Sequence, residues 1–133
     1  MEKSKSFARI FEKNFSKRDF KPNLKTTQSL FKILNTLIFK NQLTFIPNFC
    51  IKRIHGALGM FEYSPTAVKH CHTITLTNNF LDFREFASIL GHEMVHFYQF
   101  TVLKMNSGNH NKDFYKFKKR FQKLGLDLQR EYR

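Results

Sequence analysis

The sequence predicts an α+β domain. Apolar residues recur at the helical period in residues 4–40, alternate through one segment of the middle, and return to the helical period between residues 83 and 124. The order is therefore helix, helix, strands, helix, helix, with the strands grouped together rather than alternating with helices. A length of 133 residues suits one domain. The composition, 41% hydrophobic and 25% charged, is globular. Seventeen Phe and no Trp point to a core built largely from phenylalanine.

Each element has its own signal. Residues 4–18 read as an amphipathic helix, with Phe7, Ile10, Phe11 and Phe15 on one side and Lys5, Arg9, Lys13 and Lys17 on another. Pro22 and Asn23 break that pattern. A second helix is expected from Thr27 to about Lys40, on the stripe Leu30, Ile33, Leu34, Leu37 and Ile38. Asn41 and Pro47 bracket the next connection. Residues 49–77 read as a small antiparallel three-stranded sheet. Its strands are Phe49 to Ile54, Gly59 to Tyr63 (joined to the first through His55-Gly56) and His72 to Thr77. In the last, Ile74 and Leu76 fall on one face and Thr73, Thr75 and Thr77 on the other. Asp82, followed three residues later by Glu85, has capping-box spacing, so a third helix should begin at Phe83 and run to about Lys104. Asn106-Ser107-Gly108 should end it. A fourth helix is expected from Lys112 to Leu124, stopped by Gly125.

The formal charge of +13 is unevenly placed. Residues 1–25 carry +5, residues 26–103 only +2, and residues 104–133 +6. Basic ends attract polyanions, nucleic acid first among them. Lys-, Asn- and Phe-rich composition also follows from AT-rich coding, so charge by itself names no partner. The apolar runs are too short for a membrane span. The N-terminus lacks the apolar core of a secretory signal. Two cysteines, Cys50 and Cys71, make no disulfide scaffold. These features lead to the expectation of an intracellular protein, cytoplasmic or associated with the nucleoid or nucleus, and not secreted.

The chemistry is carried by Gly91-His92-Glu93-Met94-Val95-His96, which contains H-E-x-x-H. Residues four apart share a helix face about 6 Å apart along the axis, so two imidazoles can converge on one ion. Zn²⁺ accepts neutral histidine nitrogen, and catalytic sites pair three protein ligands with a water. Glu93, beside the first histidine, can reach that water and take its proton. With six His and six Glu in the chain, the pattern is expected roughly 0.01 times by chance. A third ligand is needed. His110, after a turn at residues 106–109, is the leading candidate, with Asp113 as the fallback and His55, His70 and His72 behind them. No C-x-x-C occurs, which excludes a zinc ribbon within these residues.

From Gly91 through His110-Asn111-Lys112-Asp113-Phe114 the chain resembles the SprT-like, or Spartan-type, zinc metalloprotease domain. That family carries H-E-x-x-H on a helix and a third His on the next, typically as H-G-x-x-F/W. Upstream, Leu34-Asn35-Thr36 to Phe39 and Leu43 are similar to the family's helix with an Asn and a following Phe. Leu58-Gly59-Met60-Phe61 and Ile74-Thr75-Leu76-Thr77 are similar to its two strands before the active-site helix. The resemblance covers about residues 24–125. It implies a zincin-like fold with the sheet packed on the active-site helix, between flanking N- and C-terminal helices. It also implies one Zn²⁺ held by His92, His96 and His110, with Glu93 as catalytic base. Family members include proteases that clear proteins crosslinked to DNA, so a protein substrate and a DNA partner are expected. Asn111 stands where the family usually has Gly, and Asn tolerates turn geometry well.

The expected organisation is a basic amphipathic helix over 1–23, the metallopeptidase domain over 24–125 and a basic tail over 126–133. On the fourth helix, Phe114, Phe117, Phe121 and Leu124 form a stripe suited to core packing, or less readily to stacking on unpaired bases. Lys112, Lys116, Lys119, Arg120 and Lys123 occupy its other side, as a phosphate-contacting or simply solvated face. The N-terminal helix offers a second grip on DNA or on an anionic membrane surface. Met60, Phe61 and Tyr63 lie on the strand that could pair with an extended substrate. Tyr63, Tyr98 and Tyr115 are candidates to polarise a scissile carbonyl. The competing reading is a non-enzymatic basic nucleic-acid-binding protein with a structural zinc site. A zinc hydrolase acting on a cell-wall peptide stands third.

Overall fold

A computed structural model describes residues 2–14, 18–65, 70–104 and 116–128. The architecture is α+β, in the order α1 (Glu2–Asn14), β1 (Arg18–Phe20), α2 (Leu24–Leu37), β2 (Asn48–Ile51), β3 (Gly59–Pro65), β4 (His70–Leu76), β5 (Phe80–Asp82), α3 (Phe83–Thr101) and α4 (Lys118–Lys123). No helix among the described residues is long and apolar enough to cross a membrane.

α1 forms on the expected stripe. Phe7 is buried, Ile10 and Phe11 pack on the core, and the Phe11 ring meets Phe83 edge-on at 5.9 Å; Phe15 lies outside the described residues. Arg18, expected to close the helix, instead opens a strand, Arg18–Phe20, paired antiparallel with Phe80–Asp82. That pairing depends on residues sixty positions away, which local periodicity cannot register. α2 starts at Leu24, three residues early. Asn23, read as a breaker, is its N-cap, and its side chain accepts from the Thr26 amide at 2.8 Å. Leu30, Phe31, Ile33 and Leu34 bury its inner face. After α2 the chain reverses through Lys40 and Asn41, both in the left-handed region. Asn35 fixes the return: its amide donates to the Leu43 carbonyl (2.8 Å) and its carbonyl accepts from the Leu43 amide (3.2 Å).

The sheet differs from the expected antiparallel meander. Its order is β2-β4-β3, so β4 lies between the two strands expected to form a hairpin. β3 and β4 are antiparallel, with Gly59 opposite Leu76 and Phe61 opposite Ile74. β2 and β4 are parallel, with Asn48 opposite Thr73 and Ile51 opposite Leu76. The central position explains the burial of β4. Ile74 and Leu76 are fully buried, and Thr75, on the opposite face, is buried as well.

α3 forms as its capping signal predicts. Asp82 accepts from the Glu85 amide at 2.8 Å, and the Glu85 carboxylate accepts from the Leu81 amide at 2.9 Å. Its turns bury Phe83, Phe86, Ile89, Leu90, Met94, Val95 and Phe97. α4 is described from Lys118, with Lys116 and Phe117 in a turn before it, and the expected start at Lys112 lies outside the described residues. Phe117 and Phe121 are buried, which settles the stripe as core at those two positions, while Phe114 lies outside the described residues. Gly125 takes a φ of 75°, the left-handed conformation that ends a helix at low cost. Beyond it Leu126 and Leu128 are buried, so the chain stays against the core at those positions.

Candidate metal centre

The site is built on the second half of α3. His92 and His96 project from one helix face with ring centroids 4.9 Å apart and planes crossed at 74°. His92 is 7% exposed and Glu93 5%, unusually deep for ionisable groups. Burial pushes the Glu93 carboxyl up to about 8, because an ionised carboxylate there would lose its water. Its Oε2 lies 3.9 Å from His92 Nε2, close but beyond hydrogen-bonding distance. His96 Nδ1 lies 3.0 Å from Oε1 of Gln99, which is fully buried.

Two glycines bring the neighbouring elements in. Gly59 opens β3 directly over α3. A Cβ there would stand 2.9 Å from Ile89 Cγ2 and 3.3 Å from Glu93 Oε2. The missing side chain is what lets the sheet edge approach the carboxyl. Gly91, immediately before His92, receives the ring of Phe121 from α4, and a Cβ there would meet that ring at 2.7 Å. α3 is thus gripped on its back by an aromatic ring one residue from the first histidine.

Of the sequence-nominated residues, His92, Glu93 and His96 converge. His110 and the fallback Asp113 lie outside the described residues, as do Lys112 and Tyr115. Among the described residues no group of three His, Cys, Asp or Glu is placed to hold a metal. His55 is exposed after β2. His72 packs among Phe45, Phe61, Tyr63, Phe97 and Phe100, at centroid distances of 4.8–6.3 Å. The side chains of His70 and Cys71 lie outside the described residues. The donors that are present suit a borderline divalent ion: two imidazoles one helical turn apart, and a carboxyl beside them.

The basic side chains of α4 and of the turn before it do different things. Lys116 donates to the Tyr98 hydroxyl (3.1 Å) and lies 4.8 Å from that ring's centroid. This contact, with Tyr98 buried against Phe39 and Phe117, commits that tyrosine to the α4 side of the helix. Arg120 donates to the carbonyl of Ile38, the C-cap of α2, where a cation complements the helix dipole. Lys119 and Lys123 are exposed.

Gln99, Gly59 and Gly91 were not singled out as site residues in the sequence. Gln99 sits three residues after His96, a spacing that places two side chains together on any helix. A glycine opening a strand, and another inside a helix, are the usual marks of close backbone approach.

No curated protein matches the chain. The model of the SprT-like family matches residues 27–132, which spans α2 through the region beyond α4 and includes the whole H-E-x-x-H helix. With that match over most of its length, the chain belongs to the SprT-like family.

Proposed function

We propose that this protein is a zinc-dependent endopeptidase acting on DNA-associated or DNA-crosslinked proteins, within a zincin-like arrangement. The observation that carries the reading is the trio of buried His92, buried Glu93 and half-buried His96 on one helix of a SprT-like chain. His92 and His96 hold the ion, with His110 as the third donor. A zinc ion so held supplies Lewis acidity to water and to the peptide carbonyl under attack. The other work falls to the chain. Glu93 accepts the proton of the attacking water and returns it to the leaving amine. Burial favours its protonated form and a neighbouring positive charge its ionised form, and these opposed pulls suit a group that must both take and give a proton. Among the described residues β3 has a strand neighbour on one side only, and it starts against Glu93. An extended substrate pairing along Met60–Tyr63 would bring its backbone past the carboxyl, with little side-chain specificity. DNA association rests on the charge of +13 and on exposed Lys119 and Lys123.

The test is cleavage of a DNA-binding protein by wild type and Glu93→Gln, with and without DNA, on preparations whose zinc has been measured. Wild type should cleave, faster with DNA, and Glu93→Gln should lose about 10²–10⁴-fold in rate while keeping its zinc. Equal cleavage by the two removes Glu93 from the mechanism. Zinc without cleavage of any protein offered, together with salt-sensitive DNA binding, would favour a nucleic-acid-binding protein with a structural zinc.

A further inference from the structure

We infer that Gln99 is a positioning residue that fixes the tautomer and ring orientation of His96. The inference rests on the zinc reading above for its purpose, but its geometry stands apart from it. An imidazole must present a bare nitrogen to a metal, and the protonation of its other nitrogen decides which one that is. In His96 the Nδ1 side is already taken, by Gln99 Oε1 at 3.0 Å. A carbonyl oxygen can only accept, so Nδ1 carries the hydrogen and Nε2 keeps its lone pair. The contact spans i to i+3 on α3, so the helix itself sets its length. Gln99 is fully buried, although a glutamine offers little to a core; a buried amide persists where its hydrogen bonds are used. An acceptor on the distal nitrogen also raises the basicity of the ligating one.

The residue chosen has a chemical consequence. A carboxylate at position 99 would set a full negative charge against the His96 ring at a fully buried position. The neutral amide orients the ring without burying that charge.

The experiment uses the full chain as wild type, Gln99→Leu and Gln99→Glu. Leucine is near in volume and removes the acceptor, whereas glutamate keeps it. Zinc affinity is read by competition with a chromogenic chelator. The His96 tautomer is read by ¹⁵N NMR on metal-free protein at a pH where the ring is neutral. Wild type should show His96 as the Nδ1–H form. Gln99→Leu should shift His96 toward the Nε2–H form and weaken zinc binding about 10–100-fold. Gln99→Glu should restore the Nδ1–H form and most of the affinity. If Gln99→Leu fails to fold, the wild-type and Gln99→Glu spectra still decide. An Nε2–H ring in both would overturn the inference, and so would an unchanged tautomer and affinity in a folded Gln99→Leu. A wild type that binds no zinc yet shows Nδ1–H tied to Gln99 would defeat the proposed function and leave the positioning contact intact.

Discussion

The aromatic and polar surfaces of α3 are packed by opposite means. Toward α1, β1 and β5 the helix sets Phe83 and Phe86 among Phe11, Phe20 and Phe80, with ring centroids 5.0–5.9 Å apart. Its metal-site strip carries His92, Glu93, His96 and Gln99. Burying the rings releases water from apolar surface and gains dispersion contacts. Burying the polar strip gains neither. It requires partners for each group and holds a carboxyl near 8. One face supplies the stability and the other draws on it. Substitutions should therefore separate: those on the aromatic face should lose stability first, and those on the polar strip should lose chemistry first.

The sharpest break of that comparison is Phe86→Ala. Phe86 is fully buried and touches the rings of Phe20, Phe80 and Phe83. Its truncation should cost about 3–5 kcal/mol in denaturant unfolding. The surviving folded fraction should keep its zinc. A loss below 1 kcal/mol would mean that the aromatic face does not carry the fold.

Gly91→Ala comes next, because it loads the packing behind the first histidine. The new methyl would stand 2.7 Å from the Phe121 ring, which is fully buried and has little room to retreat. A cost of about 1–3 kcal/mol is expected. Phe121→Leu should cost less in the Gly91→Ala background than in wild type, a coupling that a double-mutant cycle reads directly.

The last effect, absent at acid pH, concerns Glu93 in the metal-free protein. Its folded pKa is raised to about 8 from 4.5, so between those values the folded state holds a proton that the unfolded state has released. Stability from this group is complete below 4.5 and is lost as pH rises through 8. Glu93→Gln has no such titration. Its melting temperature should match wild type near pH 4.5 and exceed it by a margin that grows up to about pH 8 and then levels off. A constant gap across that range would show that burial of the carboxyl is not what strains the site.

How much of this was legible in the sequence follows the range of the interactions. Helix α3 and its motif were readable because each signal closes within one turn: Asp82 on the Glu85 amide, and His92 four residues before His96. The sheet was misjudged as a meander because β4 enters between β2 and β3, and β2 pairs with it in parallel. Nothing in residues 48–76 alone states that order. β1 was hidden for the same reason, since Arg18–Phe20 becomes a strand only beside Phe80–Asp82. At α4 the spacing of Phe117 and Phe121 is helical on paper, yet Phe117 itself sits in the turn before Lys118, while the expected start at Lys112 lies outside the described residues. Gln99 had a readable spacing but no charge to draw attention, and its role emerges only once the strip around it is buried.

The central claim is a single divalent ion closed by three histidines. The most direct measurement is zinc per chain by elemental analysis, after exhaustive dialysis, for wild type, His96→Ala and His110→Ala. The account predicts one zinc per wild-type chain and its loss, or retention well below one, in both variants. Absence of metal from a folded wild type would contradict it, and a full complement in His110→Ala would remove that residue from the metal centre.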